Sequence, residues 1–307
     1  MYHFIVNKHG GGGRAFLTWQ KVQKILEENN IEYKYSDTED AAAGELARRF
    51  CSLNEESVNI VVVGGDGTIG QVLNGITDFS KVKLGIIPTG SGNDFARGTG
   101  ITGNTRTCVY RVLRAENQKK IDLGCAEFEN GTKKYFGISC GFGFDALVCR
   151  LTDESKLKKV LNRMHLGKLS YVLITLLALK KIKKHNVTVV IDKDDAHSIE
   201  YKDLVFLAFM NLCFEGGGVN MAPDAVCNDG IFNYCAGYDV PLFKVLFLFA
   251  TLLLGIRKKF YGLEFKKGRT FCITSESPMA VHTDGEYLGD ARQLKIDILP
   301  SALTLLM

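Results

Sequence analysis

The chain has 307 residues, of which 46% are hydrophobic and 23% are charged, and its net charge is +4. This length allows one large domain or two modest ones, and the small positive surplus does not indicate nucleic acid, which needs a concentrated basic face. The nine cysteines contain no C-x-x-C pair, so the usual zinc and redox spacings are excluded. We expect reduced, buried thiols in a cytoplasmic protein.

The first 120 or so residues alternate between short apolar strands and amphipathic helices. We predict strands over residues 2–6, 58–63 and 84–87, a loop over 10–13, and helices over 15–28, 40–50 and 105–114. Residues 64–68 are predicted to turn into a further helix that continues through residue 76. The strand at 58–63, VNIVVV, is apolar on both faces, as a buried parallel strand should be. This β-α-β order predicts a three-layer α/β domain.

The pattern changes after residue 122. Candidate strands at 135–139, 187–192, 204–210, 231–235, 270–274, 279–283, 294–299 and 303–307 are separated by turns and two long helical stretches. This order predicts a β-rich second domain. Long strand edges would also permit a homodimer.

Glycine-rich loops follow three of the predicted strands. Glycine lets a backbone approach a phosphate closely, and a helix that begins directly afterwards offers unpaired N–H groups. The candidate nucleotide-binding residues in these loops are Asn7, Gly64, Gly65, Gly67, Thr68, Thr89, Gly90, Ser91, Gly92 and Asn93. A tight turn without ligand is the alternative for residues 64–68, and a flexible linker is the alternative for residues 7–13.

Two of these loops also carry an acid. Asp66 and Asp94 follow neighbouring predicted strands, and the carboxyl ends of parallel strands share one edge of a sheet. We therefore predict that the two carboxylates handle Mg²⁺ together, although Asp94 alone would fit a helix N-cap. The DGE segment at residues 284–286 offers a further carboxylate, Asp284, that could accept a proton from a hydroxyl, but DGE is also a common turn.

Other familiar motifs are absent or weak. No G-x-x-x-x-G-K-[ST] occurs, which excludes a Walker P-loop enzyme. Residues 141–146, GFGFDA, match G-x-G-x-x-A, but the long helix and antiparallel strands that follow disfavour a dinucleotide site. The six histidines show no metal-binding spacing.

The segments GGDGTIGQVLNG (64–75) and PTGSGNDFAR (88–97) resemble the two signature loops of the diacylglycerol kinase catalytic domain. That family includes soluble bacterial diacylglycerol kinases, sphingosine kinases and ceramide kinases. The resemblance runs nearly end to end, through residues 120–124, 141–146, 211–230 and 284–286. One departure is Asn7-Lys8, where the family usually has Asn-Pro, and Lys8 would add positive charge near the phosphates.

The resemblance implies an α/β fold plus a β fold. An N-terminal α/β three-layer nucleotide-binding domain, of the NAD kinase and diacylglycerol kinase type, is followed by a C-terminal β-sandwich, with the active site in the cleft between them. Residues 1–122, with a returning strand at 294–307, would bind ATP. Residues 123–293 would form the lipid-substrate domain.

The resemblance also implies roles for single residues. Asp284 would be the general base on the lipid hydroxyl, with Asp66 and Asp94 as the other catalytic acids. The acids of a network around the catalytic Mg²⁺ would be Asp66, Asp94 and Asp122. Asp229 would bind a second, structural metal in the β domain, and Glu286 would contact the nucleotide.

The lipid substrate would have to come from a membrane. Two apolar runs, at 169–179 and 245–256, are shorter than the roughly 20 residues that span a bilayer. Each precedes a basic cluster, as an interfacial helix near anionic lipid does, although a buried core helix fits equally well. The N-terminal residues predict a first strand rather than a signal peptide. We therefore expect a soluble, cytoplasmic protein with peripheral contact at the inner face of the membrane.

Together these observations predict a kinase that uses ATP and Mg²⁺ to phosphorylate a lipid hydroxyl, with diacylglycerol, giving phosphatidic acid, as the leading substrate. Two alternatives stay open. An NAD kinase-like enzyme also uses a GGDG loop, and a non-catalytic lipid-binding protein could keep the same fold.

Overall fold

The computed structural model describes residues 1–53, 55–114, 118–154, 174, 177–241, 244 and 262–307. The contacts divide the chain into two compact units. The first consists of Met1–Leu123, Cys227–Gly230 and Leu299–Met307, and the second of Gly124–Val226 and Ile231–Ile298. Within the described residues, no helix is both long enough and apolar enough to cross a membrane.

The first part of the chain alternates strands and helices. In order, its elements are β1 (Tyr2–Val6), α1 (Arg14–Glu28), β2 (Tyr33–Asp37), α2 (Ala43–Cys51), β3 (Val58–Gly64), α3 (Asp66–Gly75), β4 (Val82–Pro88), α4 (Asp94–Thr99), α5 (Thr105–Arg114) and β5 (Gln118–Phe128). The sequence did not predict β2 or β5. Gly10–Gly13, predicted as a loop, forms a 3₁₀ turn, and Phe79–Lys81 forms another.

The remainder is dominated by strands. Its elements are β6 (Lys133–Phe136), β7 (Ser139–Gly143), α6 (Phe144–Glu154), β8 (His185–Ile191), β9 (Asp194–Met210), β10 (Phe214–Glu215), β11 (Val219–Asn220), β12 (Phe232–Tyr238), β13 (Leu263–Gly268), β14 (Thr270–Thr283) and β15 (Glu286–Leu306). The strands predicted at 270–274 and 279–283 are one strand, β14, with a register shift between Thr274 and Met279. Likewise, those predicted at 294–299 and 303–307 are both part of β15.

The first unit is built on a parallel sheet. β1 pairs with β2 and β3, β3 pairs with β4, and the last residues of β15 pair with β4 through Thr304 and Leu305. β3 is buried on both faces because its β-branched run leaves only Asn59 partly exposed. On α1, Trp19 packs against Phe4 with ring centroids 5.3 Å apart. The carboxyl ends of β1, β3 and β4 meet at one edge of this sheet.

The second unit is an antiparallel β structure. Its hydrogen-bonded strands follow the order β13, β12, β9, β7 and β14, and β14 also pairs with β15 and β8. Phe209 and Phe271 are fully buried in its aromatic core, with ring centroids 4.8 Å apart. The hydroxyl groups of Tyr201 and Tyr234 lie 2.8 Å apart, and the Tyr201 hydroxyl donates to Glu264 Oε2 at 2.7 Å. This buried hydrogen-bond chain ties β9 to β12 and β13.

Candidate active site

The loops after β3 and β4 lie side by side at the carboxyl edge of the parallel sheet. Gly64 is the register partner of Pro88, and its carbonyl oxygen accepts a hydrogen bond from the Thr89 N–H at 2.9 Å. A Cβ atom on Gly65 would come within 3.0 Å of the Gly90 Cα. The two loops therefore meet through their backbones, which is an approach that glycine permits.

The loop after β1 reaches the same edge. The Asn7 N–H donates to the Val63 carbonyl at 3.0 Å, and the Asn7 side-chain amide donates to Thr68 Oγ1 at 3.0 Å. A Cβ atom on Gly11 would lie only 2.2 Å from the Thr89 carbonyl oxygen. The structure thus brings together the three loops that the sequence singled out.

Lys8 is directed differently from the expectation. Its ammonium group forms an ion pair with the buried Asp37 carboxylate at 2.7 Å, and this hydrogen bond raises the pKa of Lys8. The positive charge that was expected near the phosphates is therefore paired with Asp37 at the end of β2.

A cavity of about 440 Å³ lies at this edge, which is within the usual size range of small-molecule sites. The residues that line it are Asn7, Gly10, Gly11, Thr38, Ala42, Gly65, Gly67, Thr68, Gln71 and Gly90. The Thr89 hydroxyl lies close to Gly10, since a Cβ atom on Gly10 would be 3.5 Å from Thr89 Oγ1. This hydroxyl is buried and has no hydrogen-bond partner in the described part of the chain. A phosphate oxygen at this edge could accept a hydrogen bond from this hydroxyl.

Asp66 connects the two acidic loops. Its carboxylate oxygens accept hydrogen bonds from the N–H groups of Asp94 and Phe95, both at 3.1 Å, and so cap α4 from the neighbouring loop. The buried Asp94 carboxylate accepts a bond from Arg97 at 2.8 Å. Mg²⁺ prefers oxygen ligands and keeps several waters when bound with a nucleotide, so this pair of carboxylates fits such an ion.

The loop at residues 89–93 is closed by its own asparagine. Asn93 has a φ of +52°, which asparagine adopts more readily than most residues. Its side-chain oxygen accepts the Gly90 N–H at 2.9 Å, and its amide donates to the Gly90 carbonyl at 3.0 Å. The Gly92 carbonyl accepts a bond from Arg97 at 3.3 Å. These bonds fix the loop and leave Ser91 exposed.

Asp122, predicted as the third acid around Mg²⁺, binds backbone groups. Its oxygens accept hydrogen bonds from the N–H groups of Gly230 and Ser301, both at 2.7 Å, and its own N–H donates to the Cys227 carbonyl at 2.6 Å. Asp122 thereby joins three chain segments of the first unit. Asp229 lies in one of them, so the structure groups it with the first unit, whereas the sequence placed it in the β-rich domain.

Asp284 stands on the hairpin turn between β14 and β15 in the second unit. Its Oδ1 accepts hydrogen bonds from the N–H groups of Ile138 at 2.8 Å and Ser139 at 3.0 Å, and its Oδ2 accepts the Gly137 N–H at 2.9 Å. These three bonds hold the half-buried carboxylate in one orientation. Glu286, the predicted nucleotide contact, is exposed at the start of β15.

Three further titratable side chains lie next to this turn, and the sequence did not predict them as site residues. The His282 Nε2 atom is 3.3 Å from Asp145 Oδ2 and 3.3 Å from Glu215 Oε1. Their ligand atoms all lie within 4.8 Å of one another, as the ligands of one metal ion would. In the part of the chain that the structure describes, the acids predicted around Mg²⁺ form no group of three as close as this. The three side chains come from β14, α6 and β10, so no local spacing reveals them.

Burial and mutual charge shift the pKa values in this cluster. Burial raises the pKa of Glu215 to about 7, against the opposing effect of His282. Burial alone would lower the pKa of His282, but the facing carboxylates of Glu215 and Asp145 outweigh it and raise that pKa to about 9. The cluster therefore keeps a proton at neutral pH that isolated glutamate and histidine side chains would have released.

Comparison with known families adds to this geometry. Residues 1–126 match the diacylglycerol kinase catalytic domain, and residues 138–307, more than half of the chain, match the YegS C-terminal NAD kinase beta sandwich-like domain. The chain belongs to the diacylglycerol kinase family. This membership confirms the predicted fold class, an α/β nucleotide-binding domain followed by a β-sandwich, and identifies the chain as a kinase.

Two curated relatives of this diacylglycerol kinase family member cover most of its length. "Putative lipid kinase YtlR" of Bacillus subtilis is 27% identical over 292 residues, which is 94% of each chain. A diacylglycerol kinase of Mycobacterium tuberculosis is 28% identical over 250 residues, covering 80% of this chain and 76% of the relative.

Solved structures show the same fold. The structure of a putative diacylglycerol kinase from Bacillus anthracis str. Sterne has a TM-score of 0.74 at 21% identity, covering 99% of this chain and 96% of its own. An NAD kinase from Archaeoglobus fulgidus in complex with ATP has a TM-score of 0.53 at 13% identity, covering 100% and 94%. The family member thus shares its fold with both kinds of kinase.

Proposed function

We propose that this kinase transfers the γ-phosphoryl group of ATP to the hydroxyl group of diacylglycerol and forms phosphatidic acid. The observation that carries the proposal is the convergence of three glycine-rich loops around one cavity at the carboxyl edge of the parallel sheet. Open α/β sheets bind their ligands at such an edge. The names of the relatives support a lipid as the acceptor.

The proposed ATP site uses backbone groups and one hydroxyl. α3 begins at Asp66 directly after the glycine loop, and Gly67 and Thr68 of its first turn line the cavity. The start of a helix favours phosphate oxygens. The buried Thr89 hydroxyl supplies a further donor. Because the three loops already touch each other, they hold these donors in place before the nucleotide binds.

We propose that Mg²⁺ is held by Asp66 and Asp94, partly through water. When bound, the ion would neutralise charge on the phosphates. Asp122 is almost fully buried, unlike the half-buried Asp66, and its two oxygens accept backbone N–H groups, so we assign it a structural role. Asp229 stays a proposed ligand of a second, structural metal, and Glu286 stays a proposed nucleotide contact.

Asp284 is the proposed general base. A lipid hydroxyl is a weak acid, so its transfer to phosphorus is helped by a carboxylate that accepts its proton. A carboxylate that three backbone donors already orient needs little rearrangement before it does so.

Transfer of radiolabelled phosphate from ATP and Mg²⁺ tests the proposal. Diacylglycerol in mixed micelles is the main acceptor, and NAD is a soluble control acceptor. We expect label on diacylglycerol. Label on NAD alone would identify an NAD kinase-like enzyme, and the absence of both label and ATP binding would favour a non-catalytic lipid-binding protein.

The same assay tests the base. Asp284→Asn should lower kcat by about 100- to 10,000-fold, the range of general-base contributions, and leave the KM for ATP within about twofold. Asp203→Asn is the matched control, because Asp203 is an exposed aspartate of the same unit that also has a positive φ, of +53°. A kcat like that of the wild type in Asp284→Asn would remove Asp284 from this role.

We further propose a cytoplasmic protein that contacts anionic membranes peripherally. The predicted apolar runs lie outside the described residues, except for Ile174 and residues 177–179. The basic cluster after the first run is described, and Lys180, Lys181 and Lys183 are exposed. Each lysine near an anionic surface contributes about 1 kcal/mol.

Charge reversal at Lys180 and Lys181 should therefore weaken binding to anionic vesicles by at least about tenfold. The control is the same pair of variants on vesicles of neutral lipid. Equal binding of the variants and the wild type to anionic vesicles would contradict the proposed contact. A homodimer stays a prediction from the sequence, to be tested by light scattering.

A further inference from the structure

The proposed base stands on a two-residue hairpin turn. Asp284 has a φ of +49° and Gly285 a φ of +82°, so both central residues of the hairpin have the left-handed backbone of a type I′ turn. Asp-Gly is a favoured sequence for such a turn. The turn therefore sets the backbone of Asp284, and contacts from outside the turn orient its side chain.

The buried cluster described above supplies these contacts from two sides. On one side, the Ser139 N–H donates to Asp284 at 3.0 Å, and the Ser139 hydroxyl donates to Glu215 at 2.6 Å. On the other side, the Gly285 N–H lies 3.3 Å from the Nδ1 atom of His282. The opposite ring nitrogen, Nε2, faces the two carboxylates of the cluster.

The imidazole has no room to turn away from this arrangement. A Cβ atom on Gly141 would lie 2.1 Å from both the Asp145 carboxylate and the His282 Nε2 atom. His282 is fully buried, and the backbone of β7 therefore packs directly against its ring.

One arrangement of protons satisfies all these contacts. The Gly285 N–H can donate to Nδ1 only when Nδ1 carries no proton, and Nε2 must then carry the imidazole proton and donate to a carboxylate. The facing carboxylates that raise the pKa of His282 draw one more proton into the cluster. Because Nδ1 accepts the Gly285 N–H, that proton sits on a carboxyl group facing Nε2 and not on Nδ1. Glu215 is a carboxyl group of this cluster whose pKa is raised by burial.

Resting on the proposed lipid kinase function, we propose that His282 is a positioning residue for the base. In its neutral Nε2–H form, it links the carboxylates of the cluster to the Gly285 N–H and thereby fixes the turn that carries Asp284. The same three side chains have the spacing of metal ligands, but a cation on Nε2 would move the imidazole proton to Nδ1, against the Gly285 N–H. The geometry therefore points to a proton rather than a metal.

Nuclear magnetic resonance tests the proton arrangement without any substrate. Long-range ¹H–¹⁵N spectra of the full chain with ¹⁵N-labelled histidine distinguish the two neutral tautomers and the imidazolium. The His282 signals are assigned by their loss in His282→Asn or, if that variant does not fold, by replacing the other histidines in turn. We expect the neutral Nε2–H tautomer at pH 7. An imidazolium, an Nδ1–H tautomer, or ring signals that shift with equimolar Zn²⁺ would overturn the inference.

Kinetics test the positioning role by comparing how far three substitutions of His282 lower kcat. In His282→Asn, the amide oxygen takes the place of Nδ1 and can still accept the Gly285 N–H, whereas His282→Gln reaches towards the carboxylates instead. We expect His282→Ala to lower kcat by about 10- to 100-fold, the usual effect of a misplaced catalytic group. Asparagine should recover most of this loss and glutamine should not, with the KM for ATP unchanged in all three.

Equal rescue by glutamine and asparagine would contradict the role, as would a KM change without a kcat change. Failure of the lipid kinase proposal would appear differently. Wild-type protein would then label no lipid although the tautomer was as expected, whereas failure of this inference would leave lipid labelling intact with the wrong tautomer or the wrong rescue order.

Discussion

Replacing Asp122 by alanine should destabilise the first unit strongly. The side chain is 1% exposed, and its two oxygens accept the N–H groups of Gly230 and Ser301, both at 2.7 Å. The change removes both acceptors at once. It leaves two N–H groups without a partner on segments that come to the first unit from distant parts of the sequence.

The magnitude follows from these two bonds. Each buried N–H that loses its partner costs about 1–3 kcal/mol, so the free energy of unfolding should fall by about 2–6 kcal/mol. A domain of roughly 150–250 residues loses about 2–4 °C of Tm for each kcal/mol. We therefore expect Asp122→Ala to lower the Tm of the first unit by roughly 4–24 °C.

Tryptophan fluorescence is the suitable assay. The chain has a single tryptophan, Trp19, which is buried in α1 of the first unit, so its emission reports the unfolding of that unit. Glu32→Ala is the control, because Glu32 is exposed, and a surface change of this kind alters stability by less than about 0.5 kcal/mol.

An unchanged Tm in Asp122→Ala would refute the structural role of this carboxylate. Thermal melts with and without Mg²⁺ distinguish this structural role from a role of Asp122 in binding the metal. A loss of Tm that appears only when Mg²⁺ is present would support the metal-binding role that the sequence predicted for Asp122.

Three more outcomes are expected. Gly90→Ala should lower both the Tm and the affinity for ATP, because the added Cβ would lie 2.8 Å from the facing Gly65 Cα. Gly67→Ala should keep the wild-type Tm, because the space around Gly67 is open. Calorimetry with and without ATP measures both quantities. Tyr201→Phe should cost about 1–3 kcal/mol in urea unfolding, since the buried Tyr234 and the half-buried Glu264 each lose a hydrogen bond, and a loss below the error would contradict this. Folded Glu215 and His282 have raised pKa values, so the folded state binds more protons, and stability should fall as pH rises from about 4.5 to 9. Urea titrations should show this slope flattened below pH 7 in Glu215→Gln.

The sequence predicted the strands that are buried on both faces. VNIVVV at 58–63 became β3, in the middle of the parallel sheet, because a strand buried on both faces is apolar throughout. β2, with the sequence YKYSD, was missed because it pairs only with β1 and carries exposed polar residues. An edge strand of this kind has no apolar run to identify it.

The same reasoning explains which parts of the site were foreseen. The glycine loops were predictable because each directly follows a strand of one parallel sheet, so that neighbours in the sheet are necessarily neighbours at its edge. The cluster of Asp145, Glu215 and His282 was not, because its members come from three elements that only tertiary structure brings together. The position of His282 two residues before Asp284 was the available signal, and its meaning depended on the turn between β14 and β15.

The course of β15 has a consequence for how the protein is made. This strand runs without a break from the second unit into the first, where Leu305 is buried and pairs with Leu84 of β4. During synthesis, β1 to β4 leave the ribosome long before this last partner strand. The parallel sheet therefore cannot be completed while the chain is still growing. A gene fragment that ended after Leu123 would likewise encode a nucleotide-binding half without the strand that flanks β4, so exchange of this half between relatives requires both ends of the coding sequence.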